Sequence, residues 1–304
     1  MNTRPPASMI KYDLLGIEDY ECLINGKYID NEEESERVRK WVLDEFQNIK
    51  KCHYCSSLLV TTNYEYKSET EDREQNSILW FCNNCAYWQC SFDFYSELQV
   101  TSSAGWFAFT SKAREFDTNL PEICNSELAQ AIRRNQRIWN TMNPYKLEKL
   151  VADIFKANYE NSEVMHVGKP DDGGVDVLFI DSGKRQWLIQ VKRRENPKAS
   201  EGVIVVRNLL GTMVIHGVLQ GILVSTADHF TTRAFEACGK ANNNFGMELK
   251  LIDRGKLDRM LNPFIPANPW FEALSNSEYF LPEIVEYFSE HLPRKDPGQQ
   301  GLFD

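Results

Sequence analysis

The chain has 304 residues, 44 of them acidic and 34 basic, for a formal net charge of −10. That length fits two modest domains with appendages, since domains run to roughly 100–200 residues, and that charge excludes a protein whose whole surface coats nucleic acid through Lys and Arg. No basic start leads into an apolar stretch and a small-residue cleavage site, and no run nears the roughly 20 apolar residues that span a bilayer, so a cytoplasmic protein without membrane contact is expected.

In chain order, residues 32–49 (EEESERVRKWVLDEFQNI) put Val38, Trp41, Val42, Glu45 and Phe46 at mostly helical spacing. Acidic residues crowd the end where a helix dipole favours them, which predicts a surface helix. Cys52-His-Tyr-Cys55 and Cys82-Asn-Asn-Cys85 follow, with 26 residues between the pairs. The spacing predicts strands over 57–66 and 77–81, joined by an exposed charged loop over 67–76. Two CxxC pairs bracketing a hairpin, in a chain without a secretory signal, point to metal ligation sooner than to disulfides. Four thiolates suit tetrahedral Zn2+, and the module resembles a zinc ribbon. His53, inside the first pair, is the weaker candidate ligand. With four protein ligands the site would be closed to chemistry, so it is expected to fold a recognition or assembly surface. Cys22, Cys90, Cys124 and Cys238 have no such spacing and read as small buried side chains.

Residues 101–126 are poorly periodic and read as a linker. The pattern then becomes α/β. Asn143-Pro144 is an N-cap and first-turn pair, and Leu147, Leu150, Val151, Ile154 and Phe155 form one buried helical stripe. Apolar runs follow at 175–180 and 187–191, then a helix over 200–216 stopped by Gly217, a strand over 221–225, a helix over 231–243, a strand over 248–252 and a short helix over 256–261. Alternating strands and helices predict a sheet between helices. Residues 263–304 hold several prolines, a helix over 283–291 and a polar tail expected to be disordered alone.

Asp171-Asp-Gly-Gly-Val-Asp176 precedes an apolar strand, and Gln190-Val-Lys192 ends another, fourteen residues after Asp176. Strand alternation points Gln190 and Lys192 to one face while the Val191 side chain packs on the other. Gly173 and Gly174 let the chain turn tightly into Asp176. A carboxylate, an amide oxygen and an ammonium group thus converge. They suit phosphodiester hydrolysis: oxygen ligands hold Mg2+, and the lysine orients water or offsets developing charge. Asp176, Gln190 and Val191 are the expected cofactor-binding positions. Glu148, bordering the buried stripe of its helix, reaches the sheet edge, with a solvent-facing salt bridge as its equal alternative.

With NPYKLEKLV, DDGGVDV, LIQVKRR and GILVSTADHFT in this order over about 120 residues, the chain resembles the Mrr-like restriction endonucleases of the PD-(D/E)xK nuclease superfamily. The resemblance implies a mixed sheet flanked by helices and an active site of Glu148, Asp176, Gln190 and Lys192. Gln190 stands where most of the superfamily has an acidic residue; Mrr-like enzymes also carry Gln there. It further implies a Mg2+-dependent DNA endonuclease, in restriction or defence against foreign DNA, with a homodimer left open. The expected organisation is a helical segment at 1–50, a zinc-ribbon-like module at 51–100, a linker at 101–126, the endonuclease domain at 127–262 and a C-terminal extension at 263–304.

Lys184, Arg185, Arg193, Arg194 and Lys198 supply the expected DNA-binding patch around the active strand. Ser225 and Thr226 are open between a phosphate contact and turn capping; His166, His216 and His229 read as structural. In the tail, Gln299, Leu302 and Phe303 resemble the QxxLF peptide with which bacterial proteins dock on the DNA sliding clamp. Two other readings stay open: a nuclease fold that has lost catalysis and binds DNA or assembles, and a nuclease acting on RNA.

Overall fold

A computed structural model describes residues 11–18, 21–24, 27–28, 48–67, 72–98, 101–113, 117–120, 122–168, 174–277 and 280–292. It divides into two compact units: one takes in the described residues up to Ala113 and those from Ile265 to Leu292, the other those from Asp117 to Phe264. Among the described residues no helix is long and apolar enough to cross a membrane.

The first unit is a seven-stranded antiparallel sheet in the order β3-β2-β1-β7-β6-β5-β4. Its strands are β1 Lys11–Glu18, β2 Glu21–Ile24, β3 Lys27–Tyr28, β4 Val60–Lys67, β5 Asp72–Phe81, β6 Trp88–Leu98 and β7 Thr101–Lys112. The expected linker over 101–126 is therefore a strand in its first half, bonded to β1 on one side and β6 on the other. Strand identity there comes from pairing with distant segments, which the Ser-, Ala- and Gly-diluted sequence of β7 does not announce. The expected loop over 67–76 is shorter, because β5 already begins at Asp72, with Lys67 registered opposite and ion-paired to Glu74. The helix expected over 32–49 falls almost wholly outside the described residues, and strands precede it where a helical segment was expected.

One face of this sheet makes a core with the C-terminal segment. Leu79, Phe81, Trp88, Cys90, Phe92 and Phe109 pack with Trp270, Leu274, Phe280, Ile284, Val285, Phe288 and Leu292. The latter come from helices Phe271–Ser275 and Pro282–His291. Pro282 sits at the start of the second, where its missing N–H costs nothing. Burying each large side chain here stabilises by about 1.5–3 kcal/mol. The C-terminal extension thus completes the first unit's core.

The second unit carries helices α1 Asn125–Arg134, α2 Ile138–Thr141 and α3 Pro144–Asn158, then β8 Glu163–His166, β9 Val177–Ile180 and β10 Gln186–Lys192. After these come β11 Ser200–Glu201, α4 Val203–His216, β12 Gln220–Ser225, β13 His229–Phe230, α5 Thr232–Phe245, β14 Glu248–Ile252 and α6 Arg254–Arg259. The five-stranded sheet has the order β14-β12-β10-β9-β8. β10 runs parallel to β12, and β12 to β14, while β9 is antiparallel to both β10 and β8. Asn143 caps α3, accepting from Tyr145 N–H at 3.0 Å, and the predicted stripe is buried. Gly217 ends α4 in the left-handed region, φ 65°. β10 is covered on both faces, hence its apolar run Trp187-Leu-Ile; Gln190 interrupts it while still only 4% exposed.

Candidate active site

A buried polar side chain in a central strand needs a reason. Gln190 Nε2 donates to the Gly174 carbonyl at 2.7 Å, which fixes the orientation of the amide. Its Oε1 is buried and has no hydrogen-bond partner among the described residues. Leaving such an atom dry and unpaired costs about 1–3 kcal/mol, so a ligand for it is the physical expectation. Gly174 has φ +85°, and a Cβ there would lie 2.6 Å from Gln190 Nε2, so glycine is required both by conformation and by contact.

Two residues on, Asp176 N–H donates to Ile189 O at 3.0 Å, and Asp176 Oδ2 accepts from Val191 N–H at 2.6 Å. The Asp176 carbonyl accepts from Val167 and Gly168 N–H, both at 3.0 Å. The aspartate is held between β8 and β10 from both sides. Val191 is buried, and its amide holds this carboxylate. Lys192, half-buried at the end of β10, is registered with Ser225, and its carbonyl accepts from Thr226 N–H at 3.0 Å. Glu148 comes from α3. Its Oε2 lies 3.1 Å from His166 Nε2, and a Cβ on Gly168 would meet that same oxygen at 2.6 Å. Glu148, Asp176 and Gln190 are thus joined through β8 and the Gly174 turn, with Lys192 one strand repeat further.

The basic residues are not one patch. Lys184 and Arg185 lie at the β9–β10 turn, the opposite end of β10 from Lys192 and roughly 20 Å away along the strand. Lys184 pairs with Glu163 at 3.3 Å, and Arg185 with Asp181 at 2.8 Å and Glu248 at 3.6 Å. Burial by itself pushes the Asp181 carboxyl up, but hydrogen bonds from Trp187 and Arg185 outweigh it and hold it below its ordinary value. Arg193 donates to Asn140 O at 2.7 Å and pairs with Glu195. Arg194 grips Glu201 with both Nε and Nη2, which raises its affinity for the proton. Lys198 is exposed. Ser225 Oγ donates to Glu201 at 2.8 Å and Thr226 Oγ1 accepts from Arg194 N–H at 2.7 Å. Both hydroxyl side chains are fully buried in this network, which favours the capping alternative over a phosphate contact.

His166 reads as structural in the sequence; the structure sets its ring against Glu148, and the signal for that contact lies in pairing. EVMH registers against VLFI, placing His166 opposite Val177 and beside Asp176. Glu201, 1% exposed, carries no local signature at all.

In the first unit, Cys52, Cys55, Cys82 and Cys85 have all four Sγ atoms within 4.8 Å of one another. Neighbouring sulfurs stand at 3.5, 3.6 and 3.7 Å. Ligands at about 2.3 Å around a tetrahedral zinc would be about 3.8 Å apart, so the set fits Zn2+. The two CxxC turns repeat one geometry: Cys52 N–H donates to Ser57 O and Ser56 N–H to Cys52 O, as Cys82 N–H does to Tyr87 O and Ala86 N–H to Cys82 O. Ser56 and Ala86 both take φ near +60°. Hydrogen bonding to Cys52 pulls the Cys55 and Cys82 thiols below their ordinary value, while contacts with Cys55 and Cys52 push Cys52 and Cys85 respectively above it. Only a cation would let all four ionise together. His53 lies outside the set, its ring 5.9 Å from Tyr87. Of the remaining cysteines, Cys90 is buried as expected, Cys238 half-buried, and Cys124 exposed at the start of α1.

A cavity of about 690 Å³ lies elsewhere, between α4 and α5, lined by Arg207, Val214, Arg233 and Phe245 among others. It contains none of the site residues.

Sheet order and site together define a nuclease-like α/β fold with its polar groups at the end of a central strand. Residues 139–261 match the family model described as restriction endonuclease. No curated protein matches the chain. Among solved structures, the restriction endonuclease FokI bound to DNA is similar at 10% identity and TM-score 0.31, covering 64% of this chain and 38% of that one. The chain spans little more than a third of the FokI chain's length.

Proposed function

We propose that this chain is a metal-dependent endonuclease that hydrolyses phosphodiester bonds in DNA, in restriction or defence against foreign DNA, with Mg2+ as catalytic ion and Zn2+ as structural ion. The observation that carries the reading is the buried Oε1 of Gln190, without a hydrogen-bond partner among the described residues, next to the backbone-clamped Asp176 and inside the stretch that matches the restriction-endonuclease family. Asp176 and Gln190 would hold the ion, which when bound polarises the phosphate and acidifies a water. Lys192 places an ammonium beside them, to orient that water and offset charge on the phosphate. Glu148 adds a second carboxylate from α3. Lys198, exposed near the Lys192 end, is the better placed of the basic residues to meet the DNA backbone, because Arg193 is held by Asn140 and Glu195 and Arg194 by Glu201.

The test is incubation of purified chain with matched DNA and RNA, with and without Mg2+. DNA cleavage that needs the ion is expected; no cleavage, or cleavage of RNA alone, overturns the reading. For the tail, which lies outside the described residues, the proposed partner is the bacterial sliding clamp. A peptide covering residues 293–304 should bind purified clamp, and its Leu302→Ala, Phe303→Ala version should not; equal, negligible binding ends that idea.

A further inference from the structure

We infer that His166 is a positioning residue for Glu148, an inference that rests on the nuclease reading for its catalytic consequence but not for its geometry. The Nε2–Oε2 separation is 3.1 Å, and the two side chains are only 17% and 19% exposed, so the pair is largely withdrawn from competing water. An ionised Glu148 requires the ring proton on Nε2, which donates. A Cβ on Gly168, two residues after His166, would lie 2.6 Å from the same carboxylate oxygen, so the bare glycine leaves that oxygen its place. Tyr145 sets the ring edge-on, at 5.0 Å between centroids and 79° between planes, and Lys149 lies over Tyr145 at 4.5 Å. Glu148 Oε2 is thereby committed, while Oε1 makes no hydrogen bond among the described residues.

The position of His166 in the chain is what makes this more than a local pair. The next two residues, Val167 and Gly168, are the ones whose N–H groups hold the Asp176 carbonyl. One short stretch, His166-Val-Gly168, therefore registers a carboxylate from helix α3 against an aspartate from the sheet. Without the imidazole, Glu148 would regain its rotamers and meet the reacting phosphate in the correct pose only part of the time.

The experiment uses the full chain with Mg2+ and DNA. His166→Ala should lower kcat by about 10–100-fold, as loss of a supporting hydrogen bond does at other sites, with KM within about twofold of the parent. His166→Gln, whose amide nitrogen can stand where Nε2 stands, should recover most of that loss. In a Glu148→Ala background, His166→Ala should add nothing. Parental kcat in His166→Ala, no recovery by Gln, or an undiminished effect without Glu148 overturns the inference. Should His166→Ala not fold, His166→Asn takes its place: its shorter amide cannot reach Glu148, so parental kcat there is equally fatal. Nitrogen NMR of the His166 ring separates the two readings. If the Nε2 resonance moves on Glu148→Ala while the parent chain cuts no DNA, the nuclease reading falls and the pair stands; if the parent chain cuts DNA and the resonance does not move, the pair falls.

Discussion

The two candidate metal sites of this protein answer opposite demands. The cysteine cluster presents four sulfurs, all from protein, at nearly tetrahedral spacing on two turns of the same geometry. The site at the end of β10 presents the carboxylates of Asp176 and Glu148 and the buried amide oxygen of Gln190, a set that would hold a divalent ion and leave positions open to water and substrate. A site closed by protein stores its binding energy in the fold; a site left open can direct it at a substrate. The same contrast shows in the glycines: Gly174 is forced by the crowding of Gln190, whereas the cysteine turns tolerate Ser56 and Ala86 at left-handed φ.

The comparison breaks most visibly at the cysteines. Cys82→Ser should remove the one zinc per chain expected from elemental analysis and unfold the first unit, since such sites contribute on the order of 10 kcal/mol; a zinc-free parent protein, or a mutant that unfolds as the parent does, would refute it. Next in size, Asp176→Ala and Lys192→Ala should each cut cleavage about 10³-fold, about 4 kcal/mol of barrier, with circular dichroism unchanged. Full activity in either would sink the site. Gln190→Ala should raise the Mg2+ needed for half-maximal rate by about 10–100-fold while Gln190→Glu keeps activity; an unaltered Mg2+ titration in Gln190→Ala would remove Gln190 from the ligands. The smallest effect sharpens the closed site: Ser56→Gly, at φ 59°, should raise stability by about 1 kcal/mol or less in a denaturant titration, and a loss of stability would show that Ser56 is not strained.

What could be read from the sequence was what a local signal encodes. The cap Asn143-Pro144, the buried stripe of α3 and the CxxC spacing all act within a few residues, and the structure brings each of these sets together; Gln190 and Lys192, two apart in one strand, share a face by the same kind of local alternation. What depends on distant pairing was not readable. β7 is a strand because β1 and β6 flank it, and His166 meets Glu148 because β8 folds back on β9. The basic residues misled for the same reason. Lys184 and Lys192 are close in sequence, yet an extended strand separates them, and Arg194 is claimed by Glu201, a partner no spacing rule would choose.

The first unit's core is built from two stretches that the ribosome makes far apart. The sheet ends with β7 at Lys112, but the residues that cover it run to Leu292. At about 5–20 residues per second, the apolar face of β5 and β6 waits roughly 10–40 s for its cover, while the nuclease domain between them can already fold. A nascent chain in that interval is a finished nuclease fold trailing an uncovered sheet, the state in which edge-to-edge aggregation or chaperone capture would be decided.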